Sequence, residues 1–254
     1  QECASMMLGF FYHSVREFGN ALSLFASTAW KRTLKKGLRT RIMGSVKNEP
    51  KITVGIMDRL TEVAGRLDGN FSVDELGASS GRFSAKATAG TIVFTDEAFR
   101  EISRSKLIRV AAHEDSLFTL FNVTIGNRFH WERTEDQTFQ GNLILQVRDD
   151  GTITAINEIS LEKYLMSVIS SEMSSAAPIE FLKAHAILSR SWLLAGLGRK
   201  RKPKEIIVPA ERTSQREVIR WYDREEHDLF DVCADDHCQR YQGITKILSK
   251  QAEE

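Results

Sequence analysis

Apolar residues along this chain change their period once, and the change divides it. Between about Lys51 and Ile156 they come in short runs: Ile52–Ile56, Phe83–Ala87, Thr91–Phe94, Leu107–Val110 and Leu143–Val147. Gly, Asp and Asn punctuate these runs, the pattern of short β-strands joined by tight turns, and Asp150-Gly151 is a good hairpin turn. From Ser160 the period becomes helical. Leu161, Leu165, Val168 and Glu172 follow one another at steps of four, three and four, and Tyr164 and Ile169 widen the stripe. Glu172 therefore continues an apolar face and falls at its inner end. A carboxyl shielded from water loses the solvation of its charged form, which favours the protonated form that a general acid needs. The competing expectation is a helix-end carboxylate that reaches out to solvent.

Met173 to Pro178 breaks this helix, and Pro178 suits the first position of another. Ile179 to Leu194 reads as that second helix, with Gly196 as its stop. Ala184, Ala186, Ser189 and Ser191 permit a close helix neighbour. Lys183 and Arg190, seven residues apart, share a face, either as cations for an anionic or polyhydroxylated ligand or as a solvated basic edge. Glu162 lies ten residues before Glu172, roughly 15 Å along a helix axis, too far to act with it. Glu180 suits the dipole at the start of the second helix. The fold class expected is α+β: a β-rich N-terminal half, a two-helix segment and a Cys/His loop.

That loop carries its own chemistry. His227, Cys233, His237 and Cys238 place two thiols and two imidazoles within twelve residues, the donor set of a closed structural zinc site. The spacing is not that of a zinc finger, and a Cys233–Cys238 disulfide is the alternative.

Three ordered stretches resemble one family. Asn157, Leu161, Glu162, Tyr164, Leu165, Val168, Glu172 and Met173 fit the signature Asn-x-x-x-Leu-Glu-x-Tyr-Leu-x-x-Val-x-x-x-Glu-Met of the SpoIID/LytB domain, named for stage II sporulation protein D. Phe181 to Trp192 is similar to the family's following helix. Cys238, Gln239, Tyr241 and Gly243 match its Cys-Gln-x-Tyr-x-Gly motif. The resemblance implies a lytic transglycosylase that cleaves peptidoglycan glycan strands, leaves 1,6-anhydro-N-acetylmuramic acid ends, and uses Glu172 as both acid and base. It implies a structural zinc on the Cys/His stretch, an extracytoplasmic setting, and other cell-wall hydrolases as possible partners. Lys183, Arg190, Gln239 and Tyr241 are expected to line the cleft. A noncatalytic wall-binding, amidase-enhancing module is the alternative function. The chain departs from the family at His185 (usually Gln), Ser191 (usually Thr) and Trp192 (usually Tyr). All three keep hydrogen-bonding capacity, which points to altered substrate preference. His185 itself reads either as a titrating neighbour of Glu172 or as a satisfied, partly buried histidine.

Domain organisation follows. Residues 1–45 read as a helical leader, either an interfacial helix or sequence not native to the domain, with Met6–Tyr12 and Ala21–Trp30 apolar and Lys31–Arg41 basic. No run there reaches the roughly 18 apolar residues of a membrane span, and the order of charge and apolar core is not that of a signal peptide. Residues 46–254 form the SpoIID/LytB-like domain: β-rich over 46–157, helical catalytic core over 158–198 and Cys/His loop over 225–243. Its end at Glu254 falls short of the family's expected C-terminal strands. At 254 residues and 42% hydrophobic content the chain can bury a substantial core. A net charge of +1 gives no general electrostatic case for nucleic acid, although Arg199–Lys204 is a local basic run.

Overall fold

The computed structural model describes residues 49–127, 129–174, 176–200, 213–214, 217–218 and 227–247. The expected leader over residues 1–45 and the basic run beyond Lys200 lie outside the described residues. Eleven of the strands make one sheet. β1 (Lys51–Leu60), β2 (Glu62–Val73), β3 (Leu76–Thr88), β4 (Thr91–Asp96) and β5 (Glu101–Ser105) lead the chain. β6 (Leu107–Ala112), β7 (Leu117–Ile125), β8 (Arg133–Gln140), β9 (Asn142–Val147) and β10 (Ile153–Ser160) follow. Next come α1 (Leu161–Glu172) and α2 (Ile179–Lys200), then β11 (Thr213–Ser214), β12 (Glu217–Val218) and β13 (Val232–Cys233). The path across the sheet is β13-β1-β10-β9-β6-β2-β3-β4-β5, with β7 pairing to β2 and β8. The architecture is α+β, as the change of period requires.

Alternation places the core. Val63, Leu67, Phe71 and Val73 of β2, Ile92 and Phe94 of β4, Ile108 and Val110 of β6, and Leu143 and Leu145 of β9 are buried together. Each such side chain contributes about 1.5–3 kcal/mol, so slipping any strand by one residue would expose its whole set. β2 pairs with β7 through Gly65–Asp68 and with β6 through Phe71–Val73. The change of partner occurs around Gly69, whose φ of +115° and contact with Ser116 leave no room for a side chain. β2, β5, β7, β8 and β10 escape a reading by apolar runs. β2 is interrupted by Gly65, Asp68 and Gly69, and β8 is mostly polar. β9 and β10 form the hairpin expected at Asp150-Gly151, with Val147 opposite Ile153.

β10 is buried at every position from Ile153 to Asn157, so both of its faces are covered. It runs straight into α1, whose Leu161, Tyr164, Leu165 and Val168 are all buried. The second helix departs from expectation at one point: it continues through Gly196 to Lys200. A helical glycine costs only about 1 kcal/mol, and the buried Leu193 and the core-packed Leu197 on either side offset that cost.

Two glycines at positive φ test what the close packing requires. Gly243 has φ +59°, and a Cβ there would run into the Thr138 carbonyl oxygen and come within 2.7 Å of Phe139 Cδ1. Gly151 has φ +79° with open space around it. Gly151→Ala should cost about 1 kcal/mol from backbone strain alone, and Gly243→Ala about 2–4 kcal/mol because strain and collision add. Urea unfolding of the two variants checks this; equal losses would contradict it.

Candidate functional site

Glu172 closes α1. Met173 follows in an extended conformation (φ −117°, ψ 166°), which ends the helix and turns the chain towards α2. Phe181 and Leu182 N–H groups then bond the Pro178 carbonyl to start α2. The two helices fold back on each other. Arg190 reaches Glu162 near the start of α1, and His185 reaches Glu172 at its end. The Glu172 side chain is 15% exposed, with Oε2 2.9 Å from His185 Nε2. Its other oxygen, Oε1, accepts the backbone N–H of Arg240 at 3.2 Å. The periodicity thus placed Glu172 where a partly shielded carboxyl was expected, at the junction of two helices and a loop.

The loop is fastened to the edge of the sheet. β13 pairs in parallel with β1, Val54 opposite Val232 and Gly55 opposite Cys233. Asp231 accepts from the Thr53 N–H and hydroxyl, both at 2.9 Å. Gly55 is obligatory here, because a Cβ would lie 2.5 Å from the Phe230 ring. Arg148 clasps Asp228, next to His227, and Asp58 with the same guanidinium. The four donors of His227, Cys233, His237 and Cys238 consequently lie within 4.8 Å of one another.

That cluster fits a metal. Bonds of about 2.0–2.3 Å to nitrogen and sulfur give a tetrahedron with edges of about 3.3–3.8 Å. The donor separations are 3.3 Å for His227 Nε2 to Cys238 Sγ, 3.6 Å for Cys238 Sγ to His237 Nδ1, and 3.8 Å for Cys233 Sγ to His237 Nδ1. Cys233 and Cys238 are thiols and form no disulfide. The adjacent Cys238 thiol, and then burial, push the Cys233 thiol up to about 12. Two neighbouring thiols cannot both ionise in such a place on their own, whereas a divalent cation reverses the balance.

The remaining residues expected at the cleft separate into two kinds. Lys183 is exposed and pairs with Glu180 at 3.3 Å. Arg190 is engaged by Glu162 across the helix pair. Gln239 is buried and accepts the Tyr164 hydroxyl at 3.3 Å. Tyr241 is 1% exposed, stacks between Tyr164 and Phe139, and donates its hydroxyl to Asn157 Oδ1 at 2.6 Å. Burial pushes both phenols upward, so each remains a donor. Tyr241 and Gln239 are therefore buried and bonded within the protein, where the sequence led us to expect cleft residues.

Two contributors carry no sequence signal of their own. Arg240 acts through its backbone N–H, which any residue other than proline supplies. Its guanidinium lies 5.0 Å over the Trp131 ring and pairs with Asp236. Trp131 stacks on Phe129 in the β7–β8 connection, so a segment far upstream braces the residue that touches Glu172. His185 had a signal, its departure from the family pattern, but an apolar helix face does not reveal which polar residue meets a partner.

Residues 149–254 match the family model SpoIID, described as a stage II sporulation protein. The motifs read from the sequence and this match agree, and the match implies a function connected with the cell wall. No curated protein and no solved structure matches the chain.

Protein purified under reducing, metal-replete conditions should hold one divalent ion per chain. Cys238→Ser should weaken binding at least tenfold, because one of four ligands and its small chelate rings are lost. Chelation should lower thermal stability and loosen residues 227–243 while the strands persist. Elemental analysis finding no bound metal would decide against the site.

Proposed function

We propose that the chain is a lytic transglycosylase acting on peptidoglycan glycan strands, with Glu172 as acid and then base. The observation that supports this reading most is the single carboxyl at the α1–α2 junction, held by a hydrogen-bond partner on each oxygen. The nearest carboxylates in sequence, Glu162 and Glu180, are each paired with a cation, Arg190 and Lys183. Hydrolysis at a glycosidic bond ordinarily needs two carboxyl groups, one to protonate the leaving oxygen and one as nucleophile or to activate water. One group suffices when the sugar supplies its own nucleophile. Glu172 gives its proton to the glycosidic oxygen as the C1–O bond breaks. The resulting carboxylate takes the proton of the C6 hydroxyl as that oxygen bonds to C1, closing a 1,6-anhydro ring. The proton returns to Glu172, and no water is consumed.

Lys183, exposed in the first turns of α2, is the proposed contact for a glycan carboxylate. Arg190 joins it to the extent that Glu162 releases it. Gln239 and Tyr241 contribute by holding the Arg240 segment against α1. The Cys/His cluster is assigned to zinc, because two thiolates and two imidazoles in a closed tetrahedral set select it. Bound there, zinc stiffens the loop. The wall substrate places the protein outside the cytoplasm. No helix among the described residues is long and apolar enough to cross a membrane.

Glu172→Gln preserves shape and removes the transferable proton. General acid–base catalysis contributes about 10² to 10⁴ in rate, so release of anhydromuramyl products from purified glycan should fall by at least about a hundredfold with the thermal midpoint unchanged. Product formation within about threefold of the parent would remove Glu172 from the chemistry. Glycan binding without turnover by the parent would favour the noncatalytic, amidase-enhancing role.

A further inference from the structure

His185 has one ring nitrogen on Glu172 and the other on nothing. Its Nε2 lies 2.9 Å from Glu172 Oε2 and 3.4 Å from the Ser189 hydroxyl of the same helix. Nδ1 is buried and has no hydrogen-bond partner among the described residues, and the whole residue is only 6% exposed. This asymmetry assigns the tautomer. Nδ1 is an orphan in either tautomer, so the choice falls to Nε2: a proton on Nδ1 would set the Nε2 lone pair against a carboxylate oxygen and bury a donor without an acceptor as well. With the proton on Nε2, the ring donates to Glu172 Oε2 and Nδ1 keeps a lone pair.

From this we infer that His185 is a positioning residue for Glu172: its Nε2–H fixes the orientation of the carboxyl for both proton transfers. The inference rests on the reading of Glu172 as acid and base. A carboxyl at the end of a helix turns readily about its last torsion, which is broad and two-fold. The Arg240 N–H holds Oε1 and His185 holds Oε2, so the plane of the carboxyl is set from two elements at once. Each oxygen keeps a second lone pair. The acid proton is carried there, towards substrate, while the two donated bonds persist through the cycle. Without the Nε2 donor the carboxyl would give its proton in one orientation and have to find another for the C6 hydroxyl. Misplacement of a catalytic group by about 1 Å can cost a hundredfold in rate.

The groups that surround the pair leave His185 distinct. Tyr164 is close enough for the Glu172 charge to disfavour its ionisation, but its hydroxyl bonds Gln239. The Arg240 guanidinium is committed to Asp236 and Trp131. Among the described residues, His185 is the side chain that hydrogen-bonds the Glu172 carboxyl.

Three substitutions and one spectrum test the assignment. The amide nitrogen of glutamine reaches the place of histidine Nε2, and that of asparagine reaches only the place of Nδ1. His185→Gln should keep kcat within about threefold of the parent. His185→Asn and His185→Ala should lose at least tenfold in kcat with KM within about threefold and thermal midpoints close to one another. A residue needed only for packing would not separate Gln from Asn in kcat at equal stability. Long-range proton–nitrogen NMR of the imidazoles reads the tautomer without any turnover, and the proton is expected on Nε2. Full turnover by His185→Ala, or a proton on Nδ1, would overturn the assignment and leave the wall reading intact. A parent protein that turns over no glycan would overturn the wall reading and this role with it.

Discussion

The hydrogen bond from Tyr241 to Asn157 joins the two halves of this protein. Asn157 lies on β10, completely buried, and its amide group also donates to the carbonyls of Gln140 and Asn142. The same side chain therefore holds the β8–β9 connection with its nitrogen and the Cys/His loop with its oxygen. An amide buried at this depth is tolerable only when its groups are satisfied, since each orphan would cost about 1–3 kcal/mol. Tyr241 meets that need and brings the aromatic stack with Tyr164 and Phe139 along with it. Arg240 precedes Tyr241, so the position of its N–H against Glu172 follows from this one buried contact.

Most residues of the family motifs prove to be structural members of that arrangement. Asn157 and Tyr241 bond each other, Tyr164 bonds Gln239, and Gly243 is forced by the approach of the chain to the Thr138 carbonyl. Leu161, Leu165 and Val168 are plain core. Of the motif's two carboxylates, Glu172 is the shielded one at 15% exposure, whereas Glu162, paired with Arg190, is 53% exposed. A signature of this kind records a scaffold with one chemical group mounted on it. The Cys/His cluster belongs to the same logic: its four donors converge within one loop, which Thr53, Gly55 and Arg148 dock on the sheet.

The helical part of this design was legible because two signals coincide there. The stripe from Leu161 to Val168 is apolar at the right period, and a carboxylate continues it. The four side chains of the Cys/His cluster are close in sequence, so their proximity in space needed no knowledge of topology. The strands with regular alternation were visible for the same local reason. β2 and β8 were hidden because their buried residues are separated by glycine or by long polar stretches. The end of α2 was hidden because packing of Leu193 and Leu197 outweighs the preference of Gly196. Tyr241 resembled a cleft residue because an amphipathic ring looks the same in sequence whether it faces a ligand or a buried asparagine. The Arg240 N–H is invisible in principle, since a backbone donor has no letter.

The segment that carries the family match begins at residue 149, yet its site depends on chain well before that. β10 lies between β1 and β9, and β13 exists only as an addition to the edge of β1. Phe139 on β8 completes the aromatic stack, and Trp131 braces the guanidinium of Arg240. The buried faces of β10 would meet water without these strands, and the loop would lose the edge against which it folds. Catalytic precision in the proposed reaction is thus a property of long-range packing. The chemical group comes from one helix, its orientation from a second helix and a loop, and the rigidity of that loop from a sheet assembled earlier in the chain.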